Sequence, residues 1–161
     1  MDIETAFAQL AARCQTTELC LSDARARLRR MGLTDEECTH ILARLTEEHY
    51  IDERRYARAF VNDKFRLSRW GRVKIRQALR LKGIAAAHIE EALQTIDDET
   101  YRHTLRTLLV VKRRTLTART PRELNTKLIR FAVGRGFEVS LVCQMLGYDE
   151  GETDNSYFIQ E

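Results

Sequence analysis

The chain has 161 residues, with 27 Lys and Arg, 24 Asp and Glu, and a formal net charge of +3. Its hydrophobic fraction of 43% is enough for a packed core, but its longest apolar runs, such as residues 108–111, are too short to cross a bilayer. One proline and seven glycines leave few helix breakers, and Leu, Ala, Arg and Glu dominate. The composition therefore predicts an all-α protein without membrane-spanning segments.

The cysteines and histidines show no spacing that is typical of a metal site. No Cys-x-x-Cys pair occurs, and Cys38 with His40 is too isolated to form a zinc site. We therefore expect reduced, mostly buried cysteines in a cytoplasmic protein, and neither a metal nor a cofactor. The sequence also lacks a glycine-rich phosphate loop and a nucleophile elbow, and no pair of carboxylates stands out, so we do not expect an enzyme.

Three glycines bring the sequence into register with itself. Around Gly32, Gly83 and Gly136, apolar residues recur eight and four positions before the glycine and one, six and ten positions after it. Because glycine tolerates the left-handed backbone at a helix C-terminus, each glycine is predicted to end one helix before a shorter helix packs back across it. The columns are Ala24, Ile75 and Leu128; Leu28, Leu79 and Ala132; Leu33, Ile84 and Phe137; Cys38, Ile89 and Val142; and Leu42, Leu93 and Leu146.

A further amphipathic stretch precedes each glycine-ended helix, at Phe7–Cys14, Tyr56–Phe65 and Tyr101–Val111. N-caps are predicted at Thr34, Asp52 and Asp97. The sequence thus predicts nine helices in three tandem three-helix repeats, in an elongated, curved arrangement, followed by an acidic tail. The repeats and the tail are predicted at residues 1–49, 50–97, 98–148 and 149–161.

Positive charge is concentrated in the middle of the sequence. Residues 64–136 carry eighteen Lys and Arg against six Asp and Glu, whereas residues 1–63 carry nine against twelve and residues 137–161 none against six. Two stretches, 64–89 and 101–122, contain no acid at all. Such an excess fits DNA phosphates or an acidic protein surface, and Arg serves both equally well. A set of solvated helix faces is the plainer alternative.

The middle helix of the central repeat is predicted over residues 70–82. On that helix four arginines fall in one stripe beside the apolar side, namely Arg69, Arg72, Arg76 and Arg80. Trp70 is predicted to close the core, with contact to a partner as the alternative. The stripe is the predicted functional surface, and charge reversal at its last three arginines together is expected to weaken function without unfolding the chain.

The central block resembles that of the bacterial RecX family, the regulators of the recombinase RecA. The resemblance is carried by Tyr50-Ile51-Asp52, Tyr56-Ala57, Phe60-Val61, Gly71, Ile75, Leu79 and Lys82-Gly83-Ile84. Residues 62–65 and 70–75 are similar to the form that this block takes in the Bacteroidetes branch. One departure is Trp70-Gly71, where many members have Tyr-Gly.

The resemblance implies a protein that binds RecA and the RecA–DNA filament, limits filament growth and lowers ATP hydrolysis, strand exchange and co-protease activity. It leaves open whether the protein caps filament ends or lies along the groove. We expect a monomer that does not bind membranes and contacts DNA weakly and in a salt-dependent way. A stand-alone helical DNA-binding module is the alternative function.

The candidate residues fall into a binding set and a structural set. The RecA- or DNA-binding candidates are the basic residues Lys64, Arg66, Arg69, Arg72, Lys74, Arg76, Arg80, Lys82, Arg102, Arg106, Lys112, Arg113 and Arg114. The structural candidates are Gly32, Tyr50, Asp52, Tyr56, Phe60, Trp70, Gly71, Ile75, Leu79, Gly83 and Gly136.

Overall fold

The computed structural model describes residues 1–147, and these residues form nine α-helices and no strand. The predicted all-α class is therefore confirmed for this part of the chain. The acidic tail predicted from residue 149 and the last residue of the third predicted repeat lie outside the described residues. None of the nine helices is both long enough and apolar enough to span a membrane. The helices are α1 (Ile3–Cys14), α2 (Leu21–Arg30), α3 (Asp35–Glu47), α4 (Glu53–Arg66), α5 (Arg72–Leu81), α6 (Ala86–Leu93), α7 (Asp98–Thr115), α8 (Pro121–Gly134) and α9 (Val139–Leu146).

The helices belong to two compact units, and the central part of the sequence contributes residues to both of them. Unit 1 contains Met1–Val61 and Ala78–Leu93, and unit 2 contains Asn62–Gln77 together with the chain from Gln94 onward. Helices α4 and α5 therefore each contribute residues to both units. The division of the sequence into three repeats, with boundaries after residues 49 and 97, stays a prediction.

In unit 1, helices α1 and α2 both pack against α3. The apolar faces that the sequence predicted form its core, in which Leu10, Leu28, Ile41 and Leu45 are almost completely buried. The thiol of Cys38 lies in the same core, as expected for a reduced, buried cysteine. Apolar burial on this scale is the main stabilising contribution to the unit.

In unit 2, helix α8 packs against both α7 and α9. The ring of Tyr101 is fully buried at the centre of this unit. Its centroid lies 5.8 Å from that of Phe65 and 5.1 Å from that of Phe137. Offset aromatic contacts of this kind add to the apolar burial, so Tyr101 connects α4, α7 and the α8–α9 turn within this unit.

The three repeat glycines end their helices with one hydrogen-bond pattern. Gly32, Gly83 and Gly136 have φ angles of +88°, +80° and +99°. The N–H of the residue after each glycine donates to the carbonyl five positions earlier, at 3.3, 3.2 and 3.1 Å in chain order. This is the Schellman motif, in which a left-handed residue satisfies the last carbonyls of a helix. The predicted helix ends are confirmed, and the apolar columns beside them are buried except for the half-buried Leu146.

The three predicted N-caps are also confirmed. The side-chain oxygens of Thr34, Asp52 and Asp97 accept hydrogen bonds from backbone N–H groups three residues later, at 3.2, 3.0 and 2.9 Å. The bond from the first turn of α4 lowers the pKa of Asp52. Helices α4 and α7 begin three residues before the stretches predicted from apolar periodicity, because a capped first turn is mostly polar.

The helix that carries the basic stripe is shorter than predicted. Helix α5 begins at Arg72, so Arg69 and Trp70 lie in the connection that precedes it. Arg69 has a left-handed φ of 54°, and the N–H of Trp70 donates to the carbonyl of Lys64 at 3.0 Å, which closes the end of α4. The prediction that Arg69 belongs to the helical stripe is therefore wrong.

Two glycines allow the start of α5 to lie against the turn between α8 and α9. The N–H of Gly71 donates to the carbonyl of Arg135 at 2.8 Å, and the N–H of Val73 donates to the carbonyl of Gly136 at 2.9 Å. A Cβ atom at Gly71 would overlap the backbone of Gly136, and one at Gly136 would overlap Lys74. Both positions therefore require the absence of a side chain, which explains their predicted structural role.

We predict that Gly71→Ala lowers the free energy of unfolding by about 2–3 kcal/mol, because the added methyl group forces two backbones apart. Urea unfolding followed by far-UV circular dichroism measures this change. Gly134→Ala is the matched control, since Gly134 ends α8 and nothing lies within 4 Å of an added Cβ atom. The control should be neutral or stabilising by up to about 1 kcal/mol. Equal effects of the two substitutions would contradict the close backbone contact.

Candidate partner-binding surface

The two units differ strongly in charge over the described residues. Unit 2 carries sixteen Lys and Arg against six Asp and Glu, a formal charge of +10. Unit 1 carries eleven against thirteen, a formal charge of −2. An excess of this size attracts polyanions and acidic surfaces, so unit 2 is the candidate for partner binding.

Most of the predicted binding residues lie in unit 2, and only Arg80 and Lys82 belong to unit 1. Those in unit 2 divide according to what their charged groups contact. Five arginines are exposed and form no ion pair with any residue between 1 and 147, and we call them the exposed arginines. They are Arg66, Arg69, Arg106, Arg113 and Arg114.

Arg72 is held within unit 2 by several contacts. Its guanidinium lies 3.1 Å from a carboxylate oxygen of Glu138 and 3.4 Å from one of Asp98. It also lies over the ring of Tyr101, 3.8 Å from the centroid, and its side chain is only 24% exposed. The guanidinium of Arg72 was predicted to contact a partner. It contacts two carboxylates and an aromatic ring of its own unit instead.

Tyr101 and Glu138 complete this network. The hydroxyl of Tyr101 donates to Glu138 and accepts the backbone N–H of Arg72 at 3.1 Å. Burial and the bond to Glu138 raise the pKa of Tyr101, so the hydroxyl keeps its proton. Glu138 is the N-cap residue of α9, but its side chain forms no cap bond because it contacts Tyr101 and Arg72 instead. The start of α5 is therefore joined to α7 and α9 through polar groups as well as backbone.

Trp70 is half-buried and lies between two lysines. The ammonium groups of Lys64 and Lys74 are 4.7 and 4.5 Å from the ring centroid. Contacts of a cation with an aromatic face stabilise by roughly 0.5–1 kcal/mol at such partly exposed sites. Trp70 was predicted to close the apolar core. The structure shows a half-buried ring that contacts two lysine side chains instead.

The other predicted basic residues have individual surroundings. Lys82 pairs with Asp23 of unit 1 at 2.9 Å, and Arg102 pairs with Asp98 at 2.9 Å. The ammonium group of Lys112 lies 5.0 Å from the centre of the Phe131 ring. Arg76 is half-buried, whereas Arg80 is exposed. Among the predicted binding residues, the exposed side chains are therefore a few arginines.

Arg119 and Arg122 are exposed arginines of unit 2 that were not among the predicted binding residues. Arg119 precedes α8 and Arg122 lies in its first turn, and neither guanidinium forms an ion pair among the described residues. The acid-free stretch 101–122 contains both, so the sequence held the signal that points to them. By contrast, no sequence signal linked Arg72 to its acidic partners, since Glu138 lies 66 residues away along the chain.

Comparison with known proteins identifies the family. A family model described as RecX, second three-helix domain, matches residues 52–93. A regulatory protein RecX from Chlorobaculum tepidum is 30% identical over 137 residues, which cover 83% of each chain. The chain belongs to the RecX family. A crystal structure of RecX from Lactobacillus salivarius has a TM-score of 0.74 at 19% identity, over 90% of this chain and 96% of that one, which supports the shared fold.

Some RecX relatives are longer than this chain. A regulatory protein RecX from Clostridium botulinum is 30% identical over 120 residues, which cover 73% of this chain but only 56% of that protein. Within the matched block 52–93, Asp52 caps α4, while Ile75 and Leu79 are completely buried. These three residues of the matched block therefore contribute to the fold.

We predict that Arg72→Gln lowers the free energy of unfolding by about 1–3 kcal/mol, because it leaves the half-buried Glu138 without its cation and removes the guanidinium from the ring of Tyr101, whereas Asp98 keeps Arg102. Arg106→Gln removes the same charge from an exposed position on α7 and should change the free energy of unfolding by no more than about 0.5 kcal/mol. Chemical unfolding of both variants measures the difference. Equal values would contradict the network, and so would additive effects of Arg72→Gln and Glu138→Gln in a double-mutant cycle.

Proposed function

We propose that this chain binds RecA and the RecA–DNA filament, limits filament extension and thereby lowers ATP hydrolysis, strand exchange and co-protease activity. The relatives named regulatory protein RecX support a regulatory role. The observation that carries the proposal is the charge of unit 2, where the exposed arginines lie without acidic partners among the described residues. A filament of protein and DNA presents the anionic groups that such a surface attracts.

A purely structural explanation accounts for only part of this charge. Arg113 and Arg114 lie in the last turn of α7, where cations interact favourably with the helix dipole. Arg106 lies in the middle of that helix, one turn after Arg102, and like charges at this spacing cost a few tenths of a kcal/mol. Arg69 lies outside any helix. Binding to an external anion explains all of these positions together.

DNA phosphates are part of the proposed partner surface. The exposed arginines are spread over the end of α4, the connection that follows it and much of α7. Recognition of bases normally gathers such side chains at the start of one helix, whereas contacts with the phosphate backbone need no such arrangement. We therefore propose weak, salt-dependent contact with DNA in addition to RecA, rather than a stand-alone DNA-binding module.

The proposed mode of action is occupancy rather than catalysis. A monomer of this chain would act in the cytoplasm by occupying sites on the filament, and its basic unit would supply most of the attraction. The half-buried network around Arg72 would fix the start of α5, so that the exposed arginines are presented from a rigid unit.

We predict that Arg66→Gln combined with Arg113→Gln raises the concentration needed for half-maximal inhibition of RecA by about tenfold. This corresponds to about 0.7 kcal/mol for each lost exposed charge contact. The measurement is ATP hydrolysis by RecA on single-stranded DNA, with the protein added below the concentration of RecA. Strong inhibition at such low ratios would also favour blocking of filament ends over filling of the groove.

Arg13→Gln combined with Arg30→Gln is the matched control. Both arginines are exposed, lie in unit 1 and form no ion pair among residues 1–147. The control should inhibit as well as the natural sequence. Equal loss of inhibition in both double variants would assign the effect to net charge alone. Absence of inhibition by the natural sequence would overturn the proposed function.

A further inference from the structure

Trp70 lies in a short connection of unit 2 that is held by hydrogen bonds at both ends. The connection, residues 67–71, joins α4 to α5. The N–H of Trp70 donates to the carbonyl of Lys64 at 3.0 Å, and the N–H of Gly71 donates to the carbonyl of Arg135 at 2.8 Å. The guanidinium of Arg135 also donates to two other carbonyls of the connection. These bonds fix the backbone that carries the indole before any partner binds.

The indole of Trp70 is surrounded by cations. The ammonium groups of Lys64 and Lys74 lie 4.7 and 4.5 Å from the centroid of the half-buried ring. Arg66 and Arg69, which are close to Trp70 in the sequence, are exposed and form no ion pair with the described part of the chain. The acid-free stretch contains all of these residues. A partly exposed aromatic ring thus belongs to a basic segment of unit 2.

This combination has the chemistry of a site for an unpaired nucleobase. Every base has an aromatic face that stacks on an indole, and the phosphates on either side of the base attract Lys and Arg. Stacking of a base on an aromatic ring is stronger than the contact of a partly exposed ammonium group with the same ring. A base can therefore replace one lysine over the indole, and the released ammonium group can then pair with the adjacent phosphate.

We propose that Trp70 is a stacking platform for one unpaired base of single-stranded DNA, and that Lys64, Lys74, Arg66 and Arg69 contact the phosphates beside that base. The choice of DNA rests on the proposed function. The inference adds a preference for single strands, which contacts with phosphates alone would not produce. Duplex DNA offers the same phosphates, but its bases are already paired and stacked on one another. An acidic protein surface offers carboxylates, which have no aromatic face to stack on the ring.

The first experiment uses the natural sequence, because Trp70 is its only tryptophan and its fluorescence reports on this site alone. The full-length chain is titrated at low salt with three probes of about 15 nucleotides, a length that suits one binding site. The probes are a deoxythymidine strand, an abasic strand with the same phosphates, and a duplex. We expect saturable quenching by the deoxythymidine strand alone, and binding of the abasic strand that is at least about fivefold weaker. Equal affinity for the two strands, or no quenching, would overturn the proposal.

The second experiment removes the aromatic face by Trp70→Leu. The affinity for the deoxythymidine strand, measured by the anisotropy of labelled DNA, should fall about tenfold, whereas the affinity for the duplex should change by less than about twofold. Trp70→Phe keeps a stacking face and should restore most of the lost affinity. Equal weakening of single-stranded and duplex binding by Trp70→Leu would contradict the stacking site.

Phe7→Leu is the matched control. Phe7 is a half-buried aromatic residue with the guanidinium of Arg44 4.0 Å from its ring centroid, but it lies in unit 1. The control should bind the deoxythymidine strand and the duplex as the natural sequence does. A loss of single-strand affinity as large as that of Trp70→Leu would refute a site that is specific to Trp70.

The RecA assay separates this inference from the proposed function. If base-dependent quenching is absent while the natural sequence inhibits ATP hydrolysis by RecA, the stacking site is refuted and the proposed function stands. If the quenching depends on bases but RecA is not inhibited, the proposed function fails and the site for single-stranded DNA stands. If Trp70→Leu abolishes inhibition but keeps its affinity for the deoxythymidine strand, Trp70 contacts protein instead, and the inference is overturned.

Discussion

In unit 2 the backbone at Gly71 lies directly against the backbone at Gly136, and this contact fixes the start of α5, where Arg72 lies. The N–H groups of Gly71 and Val73 donate to the carbonyls of Arg135 and Gly136 at 2.8 and 2.9 Å, and a Cβ atom at either glycine would overlap the opposite segment. The contact brings the first residue of α5 next to the first turn of α9, so Arg72 reaches Glu138 and the ring of Tyr101. A close backbone contact thus accounts for the position of Arg72 within the unit.

Arginines within the same acid-free stretch, residues 64–89, therefore have different surroundings. Arg72 is three-quarters buried and paired, whereas Arg66 and Arg69 are exposed. Burying a paired arginine is tolerated because two carboxylates and an aromatic face replace its water. The exposed arginines have no such compensation among the described residues, and this difference is the physical basis for assigning them to a partner. In a RecX-family protein, that partner is proposed to be the RecA filament.

Features that depend on neighbouring residues could be predicted from the sequence. The glycine-ended helices follow from the local Schellman motif, and the caps at Thr34, Asp52 and Asp97 follow from a polar side chain before an apolar helix. The surroundings of the basic residues could not be predicted. Asp98 and Glu138, which hold Arg72, lie 26 and 66 residues away, and only the packing of unit 2 brings them together. The surroundings of Trp70 were also predicted wrongly. Helical periodicity placed the start of α5 at residue 70, whereas the helix begins at Arg72.

The central claim is that unit 2 forms the contact with the partner through its exposed arginines. Amide hydrogen exchange of the full-length chain, measured alone, with single-stranded DNA and with RecA assembled on that DNA, tests it most directly. We expect the filament to slow exchange at residues 64–70 and 102–114, with weaker and salt-sensitive slowing by DNA alone. Slowing confined to residues 1–61 would contradict the claim, because it would place the contact on the acidic unit.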